Sequence, residues 1–425
     1  MDYYIISLIG VVSLFLLIAM SVPVSFAMLI VGFSGIYYII GPMAAFNLIS
    51  AGIWEQVSSY PLSVIPLFIL MGEILSRSGI TKQLMNAAYA WVGHMKGSMA
   101  STTVLTGAGF GAVCGSNSAT TAAVGSIALP EMKKYEYDPT LRAGVVAAAG
   151  TLGTIVPPSS VLIIVALQAE LAIRDLFLAS IIPAFILVSF FMLTIALICY
   201  RYPLMGPAGK KTPLVQKIKK MSGVIESFLL FAIVLGGLFA GWFTSTEAAA
   251  VGCLGALVVC TIQGKLKWES FQSSMKNTLI YSSMILMLII GAVVFGRFLA
   301  ITRIPFIIAD WATQLPISAL FIMATILLIF LLGGAIMDAM GFLVIAMPIF
   351  LPVALSLGYE PLWFGIMVCL ATGMGAITPP IAVNAFIVNA LDPSIGFKNI
   401  MRGISLFLPA FLLTLIILLI FPQLI

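Results

Sequence analysis

Residues 361–391 run for 31 positions without an Asp, Glu, Lys or Arg, and residues 143–169 do so for 27. Such runs suit the hydrocarbon of a bilayer, whose core of about 30 Å is crossed by about 20 apolar residues in a helix. Composition extends the point to the whole chain. Of 425 residues, 62% are apolar and 8% are charged, which leaves too little polar surface to cover a soluble globule. The expected class is an all-α polytopic membrane protein. The longest polar segment, residues 201–222, has 22 residues, too few for a folded catalytic module.

The net charge of +5 would suggest nucleic acid for a soluble protein, but here the basic residues sit in short loops, where a cytoplasmic location explains them. No nucleic-acid partner is expected. Cys114, Cys199, Cys253, Cys260 and Cys369 lie in apolar segments without metal-ligand spacing and read as small buried side chains. Residues 5–20 are apolar but are preceded by Asp2 and by no basic residue, the wrong flank for a cleaved signal. A retained first span is expected.

Apolar runs predict spans near residues 4–21, 22–40, 60–77, 143–169, 175–200, 224–242, 246–263, 277–300, 361–391 and 403–422. Two regions fit no single crossing. Residues 97–130 are 34 uncharged positions with GAVCGSNSATTAAVG at their centre, and as one helix would run about 51 Å. Residues 317–354 carry GGAIMDAMG at theirs. Both read better as re-entrant hairpins, near 97–133 and 317–354. A constant shift of 222 carries Leu129-Pro130 onto Leu351-Pro352, Asp138-Pro139 onto Glu360-Pro361, Gly153 onto Gly375 and Pro157-Pro158 onto Pro379-Pro380. The chain thus divides into a first repeat (1–200), a basic linker (201–222) and a second repeat (223–425). Five crossings and one hairpin per half turn the second half upside down. Inverted repeats of this kind are the usual scaffold of secondary transporters. With the N-terminus outside, 17 of the 20 basic residues fall on the cytoplasmic side, and only Arg174, Arg297 and Arg303 stay out.

The double prolines carry the chemistry. Each proline in a helix removes a backbone donor and clashes with the carbonyl one turn back, so two in succession should unwind residues 143–169 and 361–391 midway. One such pair would be a common kink; two at matching positions suggest a site, since broken backbone at membrane depth survives only where protein or a cavity satisfies it. Freed carbonyls before each break suit a cation, and the half-helix after it presents its positive end to an anion. Ser116, Asn117, Ser118, Thr120 and Thr121 at the first hairpin tip offer neutral oxygens for a hard cation such as sodium, against the plainer role of close helix packing. Asp338 is the one carboxylate between Asp310 and Glu360; it reads as a functional group at depth, as an N-cap of the returning arm, or as both. Ser159 and Asn384, just after the breaks, join Ser118 and Asp338 as candidate substrate contacts.

Other features carry less. Thr244-x-x-Glu247 has capping-box spacing, and His94 lies in a basic loop without a catalytic partner. Gly209-Lys210-Lys211-Thr212 lacks the first glycine of a phosphate loop, since Leu204 occupies that place. No enzyme chemistry is visible, and an ion gradient is the expected energy source.

In sequence order, Ile65-Pro66-Leu67-Phe68 with Gly72-Glu73, GSNSATTAAVG from Gly115, FTSTEAAAVG from Phe243, GAIMD from Gly334 and GAITPP from Gly375 resemble the large membrane subunit of the tripartite ATP-independent periplasmic (TRAP) transporters. The resemblance implies an elevator-type, sodium-driven importer of organic anions in a bacterial inner membrane. It implies a small four-helix membrane subunit and a periplasmic substrate-binding protein as partners. Carried over by motif, one sodium site would use Ser116 and Asn117 with Gly153, Val156 and Pro158, and the other Gly334 with Gly375, Thr378 and Ile381. Members for sialic acid have Asp-Leu-Thr-Pro at the second tip. Here Asp338-Ala339-Met340-Gly341 stands instead, which points to a smaller carboxylate, such as a C4-dicarboxylate, or to a sulfonate. A carrier working without a binding protein and a passive channel remain the alternatives.

Overall fold

The computed structural model describes residues 3–209 and 211–425, so that Asp2 and Lys210 lie outside the described residues. Its secondary structure is helical, with no strand among the described residues. The first series is α1 (Tyr3–Ala19), α2 (Val24–Ile40), α3 (Pro42–Val57), α4 (Val64–Arg77, entered through a 3-10 turn at Tyr60–Ser63), α5 (Ile80–Val92), α6 (Ser98–Cys114), α7 (Asn117–Lys134), α8 (Pro139–Ile155), α9 (Ser160–Gln168) and α10 (Ile173–Arg201). The second is α11 (Leu214–Phe239), α12 (Ser245–Ile262), α13 (Trp268–Thr302), α14 (Ile304–Gln314), α15 (Ala319–Ile336), α16 (Ala339–Ser356), α17 (Pro361–Gly375), α18 (Val383–Leu391), α19 (Phe397–Ser405) and α20 (Leu408–Ile420).

Among the described residues, eight helical segments are long and apolar enough to cross a bilayer, and α8 with α9, bent by 41°, make a ninth. The chain is therefore a multi-pass membrane protein. Two of the eight are α15 and α16, the arms of the second hairpin, while α1, α2 and α17 are apolar but shorter. The polar segment 201–222 is helical at both ends, since α10 runs on to Arg201 and α11 starts at Leu214. Helices α3, α5 and α14 fall outside the predicted spans because each is short, at 16, 13 and 11 residues, and interrupted by polar side chains. On α5, for example, Ile80, Met85 and Ala90 are buried while Lys82 lies on the other side of the helix.

Local chemistry sets the ends. Asp138 accepts from the amide of Thr140 (2.8 Å), with Pro139 at the first helical position, so α8 starts there. At α12, Thr244 and Glu247 form the reciprocal capping box, which accounts for Glu247 structurally. Arg142 is not a loop cation. It is buried in the first turn of α8, 3.7 Å from Asp392, and the ion pair permits the burial. Arg297 reaches α3 from α13, donating to the Leu48 carbonyl and lying 3.5 Å from Glu55.

Every residue of α8 from Leu141 to Ile155 and of α17 from Trp363 to Gly375 is buried. That is why these helices hold the uncharged runs: a helix apolar all round belongs in a core. Hairpins α6–α7 and α15–α16 pack against them, and α19 crosses α8 so closely that a Cβ on Gly144 would strike the backbone of Gly403. A second assembly pairs α2 with α13 and α4 with α12. Asn277 of α13 donates to Glu73 of α4 (3.0 Å), joining these pairs.

Candidate ion and substrate site

Helix α8 stops at Ile155, and residues 156–159 separate it from α9. The first hairpin turns at Gly115 (φ 61°) and Ser116, against this break. Ser160 donates both its amide (3.1 Å) and its hydroxyl (2.7 Å) to the Gly115 carbonyl. A Cβ on Gly115 would stand 2.7 Å from the Pro158 carbonyl oxygen, and one on Gly153 would stand 2.6 Å from that of Ser116 and 2.8 Å from Thr120 Oγ1. Only glycine admits so close a seat. Thr120 Oγ1 is buried and has no hydrogen-bond partner, the kind of buried oxygen that calls for an explanation. Ser116, Gly153 and Pro158 are thus drawn together with Thr120. Asn117 Oδ1 accepts from Asn384 Nδ2 (2.8 Å). Val156 closes the last turn of α8 through its amide to Leu152 (2.9 Å).

The second break is longer, residues 376–382. Its hairpin tip again packs on glycine: a Cβ on Gly375 would lie 2.6 Å from the carbonyl carbon of Gly334, and one on Gly334 2.6 Å from the Thr372 oxygen. Ile381 donates its amide to Ala335 (3.3 Å), which fastens the break to the tip. Thr378 turns inward, its amide to Gly375 (2.8 Å) and its hydroxyl to Met374 (2.7 Å). Gly334, Gly375 and Ile381 therefore meet, with Thr378 one turn along the same segment. Both Pro-Pro peptide bonds are cis.

Between the tips lies a cavity of about 440 Å³, a volume suited to a small organic ligand. The first tip contributes Cys114, Ser116 and Ser118, the start of α9 contributes Ser160, and the second tip contributes Asp338 and Met340. Ile69 and Glu73 of α4 and Tyr281 and Met284 of α13 close it from the other assembly. Asp338 caps α16, accepting from the amide of Met340 (3.1 Å), and lines the cavity as well. Glu73, 3.6 Å from Arg77, also takes the Asn277 bond.

Ser118 and Asp338 line this space, whereas Ser159 and Asn384 do not. Ser159 is fully buried and donates its hydroxyl to the Thr154 carbonyl (3.0 Å), so its neighbour Ser160 takes the wall. Asn384 is fully buried behind the wall, where Nδ2 bridges Asn117 and the Ala147 carbonyl (2.8 Å each); it holds the first tip, α8 and α18 together. Sequence reasoning missed Ser160 and Tyr281, and met Glu73 only as part of a motif. The one signal for Glu73 was a carboxylate inside an apolar span.

A sequence profile of the family described as "Tripartite ATP-independent periplasmic transporter, DctM component" matches residues 11–424. The C4-dicarboxylate TRAP transporter large permease protein DctM of Pseudomonas aeruginosa is 33% identical over 340 residues, 80% of this chain and 79% of that protein. The isethionate TRAP transporter permease protein DctMQ of Oleidesulfovibrio alaskensis is 32% identical over 345 residues, 80% of this chain and 53% of that protein. The crystal structure of the YdaH transporter of Alcanivorax borkumensis superposes with a TM-score of 0.62 over 90% of this chain and 88% of that one; at 16% identity this is a likeness of fold. These relatives are named as transporter proteins, not enzymes. With the family profile spanning nearly the whole chain and a relative one-third identical over most of it, the protein belongs to the DctM family, the large membrane component of TRAP transporters.

Proposed function

We propose that the chain is the large permease subunit of a sodium-coupled secondary importer of a small organic anion in a bacterial inner membrane, with its N-terminus on the periplasmic side. The observation that carries this reading is the seating of each hairpin tip on the break of the following helix, with one cavity between the two tips. Sodium is held at the first seat by Ser116, Asn117, Gly153, Val156 and Pro158, with the unpaired Thr120 hydroxyl as a further ligand, and at the second by Gly334, Gly375, Thr378 and Ile381. Carbonyl and hydroxyl oxygens are the ligands a hard cation takes. The anion occupies the cavity. The hairpins with α8, α9, α17 and α18 form a block that moves against the α2, α4, α12 and α13 assembly, carrying the site across the membrane as an elevator would, the inverted halves supplying the two end states. A small four-helix subunit and a periplasmic binding protein complete the system; relatives named for C4-dicarboxylate and isethionate support a small carboxylate or sulfonate as cargo.

Uptake into proteoliposomes holding both membrane subunits tests the proposal, with the binding protein outside. Uptake should need an inward sodium gradient, and Ser116→Ala or Thr378→Val should raise the sodium concentration for half-maximal rate several-fold. Uptake indifferent to the gradient would indicate a channel. Uptake indifferent to the binding protein would indicate a stand-alone carrier.

A further inference from the structure

Two stretches of the chain contain no carboxylate, residues 74–130 and 176–225. The fold brings them together where α5 turns into α6 and where α10 passes through the linker into α11. The Gly97 amide donates to the Gly206 carbonyl and the Gly209 amide to that of Gly93 (2.9 Å each), while the Tyr137 hydroxyl donates to the Pro207 carbonyl (2.8 Å). The linker is thus stitched to the base of the first hairpin.

Lys96, Arg201, Lys211, Lys217, Lys219 and Lys220 belong to this junction, and none of them is in an ion pair among the described residues. Of the carboxylates on neighbouring elements, Glu131 pairs with Lys134, Glu226 takes the Gln263 amide, and Glu136 shares a cavity wall with Lys134. Three of the cations lie over aromatic rings. Lys217 Nζ stands 5.1 Å from the Trp91 ring centre, Arg201 Cζ 5.3 Å from that of Tyr202, and Lys96 Nζ 5.6 Å from that of Tyr200. A ring positions a cation while leaving its N–H groups free for an anion.

Apolar surface lies beside this charge. Tyr200 is 78% exposed and Leu204 93%, and Leu214, Val215 and Ile218 at the start of α11 are exposed as well. A soluble anion or a nucleic-acid strand would leave those apolar side chains in water. The headgroup layer of a bilayer covers them, because amphipathic rings and long basic stems sit there with the apolar part toward hydrocarbon and the polar end toward water. Length sets the level: the 26 residues of α11 span about 39 Å against a core of about 30 Å, so its first turns reach beyond the hydrocarbon.

We propose that Lys96, Arg201 and Lys217, seated on Tyr200, Tyr202 and Trp91, form a binding site for the phosphate headgroup of an anionic phospholipid. Arg201 can take two phosphate oxygens at once, and the two lysines supply point charges on either side of the linker. The acyl chains then cover the exposed apolar side chains. A basic cluster next to a membrane helix has the chemistry that anionic headgroups select.

The test is native mass spectrometry of the full chain purified in detergent, titrated with phosphatidylglycerol or phosphatidylcholine of the same acyl chains. Phosphatidylglycerol should bind the native protein about tenfold more tightly. Replacing Lys96, Arg201 and Lys217 together by Gln should remove that preference, whereas Lys96→Arg with Lys217→Arg should keep it within about threefold, since charge is retained. The same triple change at Lys267, Lys276 and Lys398, which are exposed and in no ion pair, should alter it by less than about twofold. Equal affinity for the two lipids, or an equal loss in the control triple, overturns the proposal. Displacement of the lipid by millimolar sn-glycerol 3-phosphate would also overturn it, by showing a site for a soluble phosphate. Binding is read without cargo or a sodium gradient, so its failure is distinct from a failure of the transport reading.

Discussion

Gly153→Ala probes the first seat most sharply. The added methyl would lie 2.6 Å from the Ser116 carbonyl oxygen and 2.8 Å from both its carbon and Thr120 Oγ1. Ordinary heavy-atom contact is about 3.5 Å, so the tip must withdraw by about 0.9 Å or α8 must give way, and α8 is buried along its whole inner length. Overpacking of this order costs about 1–3 kcal/mol. Hard-cation ligands sit at about 2.3–2.6 Å, and the same withdrawal takes the Ser116 oxygen out of range. If the cost falls on the sodium-bound state, apparent sodium affinity drops by about 5- to 150-fold. The assay is sodium-dependent uptake in proteoliposomes, with thermal unfolding in detergent as the check on folding. Gly236→Ala on α11 serves as control, since nothing lies within 4 Å of its added carbon, and it should leave sodium dependence unchanged. If Gly153→Ala folds and shows the native sodium dependence, the seat is not a cation site.

Three further outcomes are expected. Thr120→Val removes a buried hydroxyl that has no partner, so thermal stability should hold or rise by about 1 kcal/mol while the sodium requirement of uptake increases. Cys114 lines the cavity while the other four cysteines are buried; maleimide labelling should fall on it alone and slow when sodium and anion are added together, as mass spectrometry of the peptides would report. Asp392→Asn strands the buried Arg142 and should cost about 3–5 kcal/mol in thermal or chemical unfolding, with more than half recovered when Arg142→Met is added.

The breaks and hairpins were legible because their causes are local. A double proline stops a helix wherever it stands, and the uncharged runs report burial on all sides, which α8 and α17 show. The stretches near 97–133 and 317–354 hold the helix pairs α6 with α7 and α15 with α16, although α15 and α16 are each long enough to cross a bilayer. The short helices α3, α5 and α14 were not legible, because a reading keyed to apolar runs passes over stretches that Glu55, Lys82 or Asp310 interrupts. The wall of the cavity built by α4 and α13 was hidden for another reason. Glu73 and Asn277 lie 204 positions apart, and no local pattern records which helix faces a hairpin tip. Asn384 looked like a ligand contact by its place after a break; its role as a buried tie between Asn117 and Ala147 depends on contacts across both halves of the chain.

The central claim, that each hairpin tip on its helix break makes a cation site, is tested most directly by cryo-electron microscopy of the purified complex in sodium chloride and in choline chloride. The account predicts a density peak in sodium beside the Ser116 carbonyl, Thr120 Oγ1 and Gly153, a second between Gly334 and the 376–382 break, and neither in choline. Maps that are the same in both salts, with no peak at either seat and uptake still driven by sodium, would contradict it.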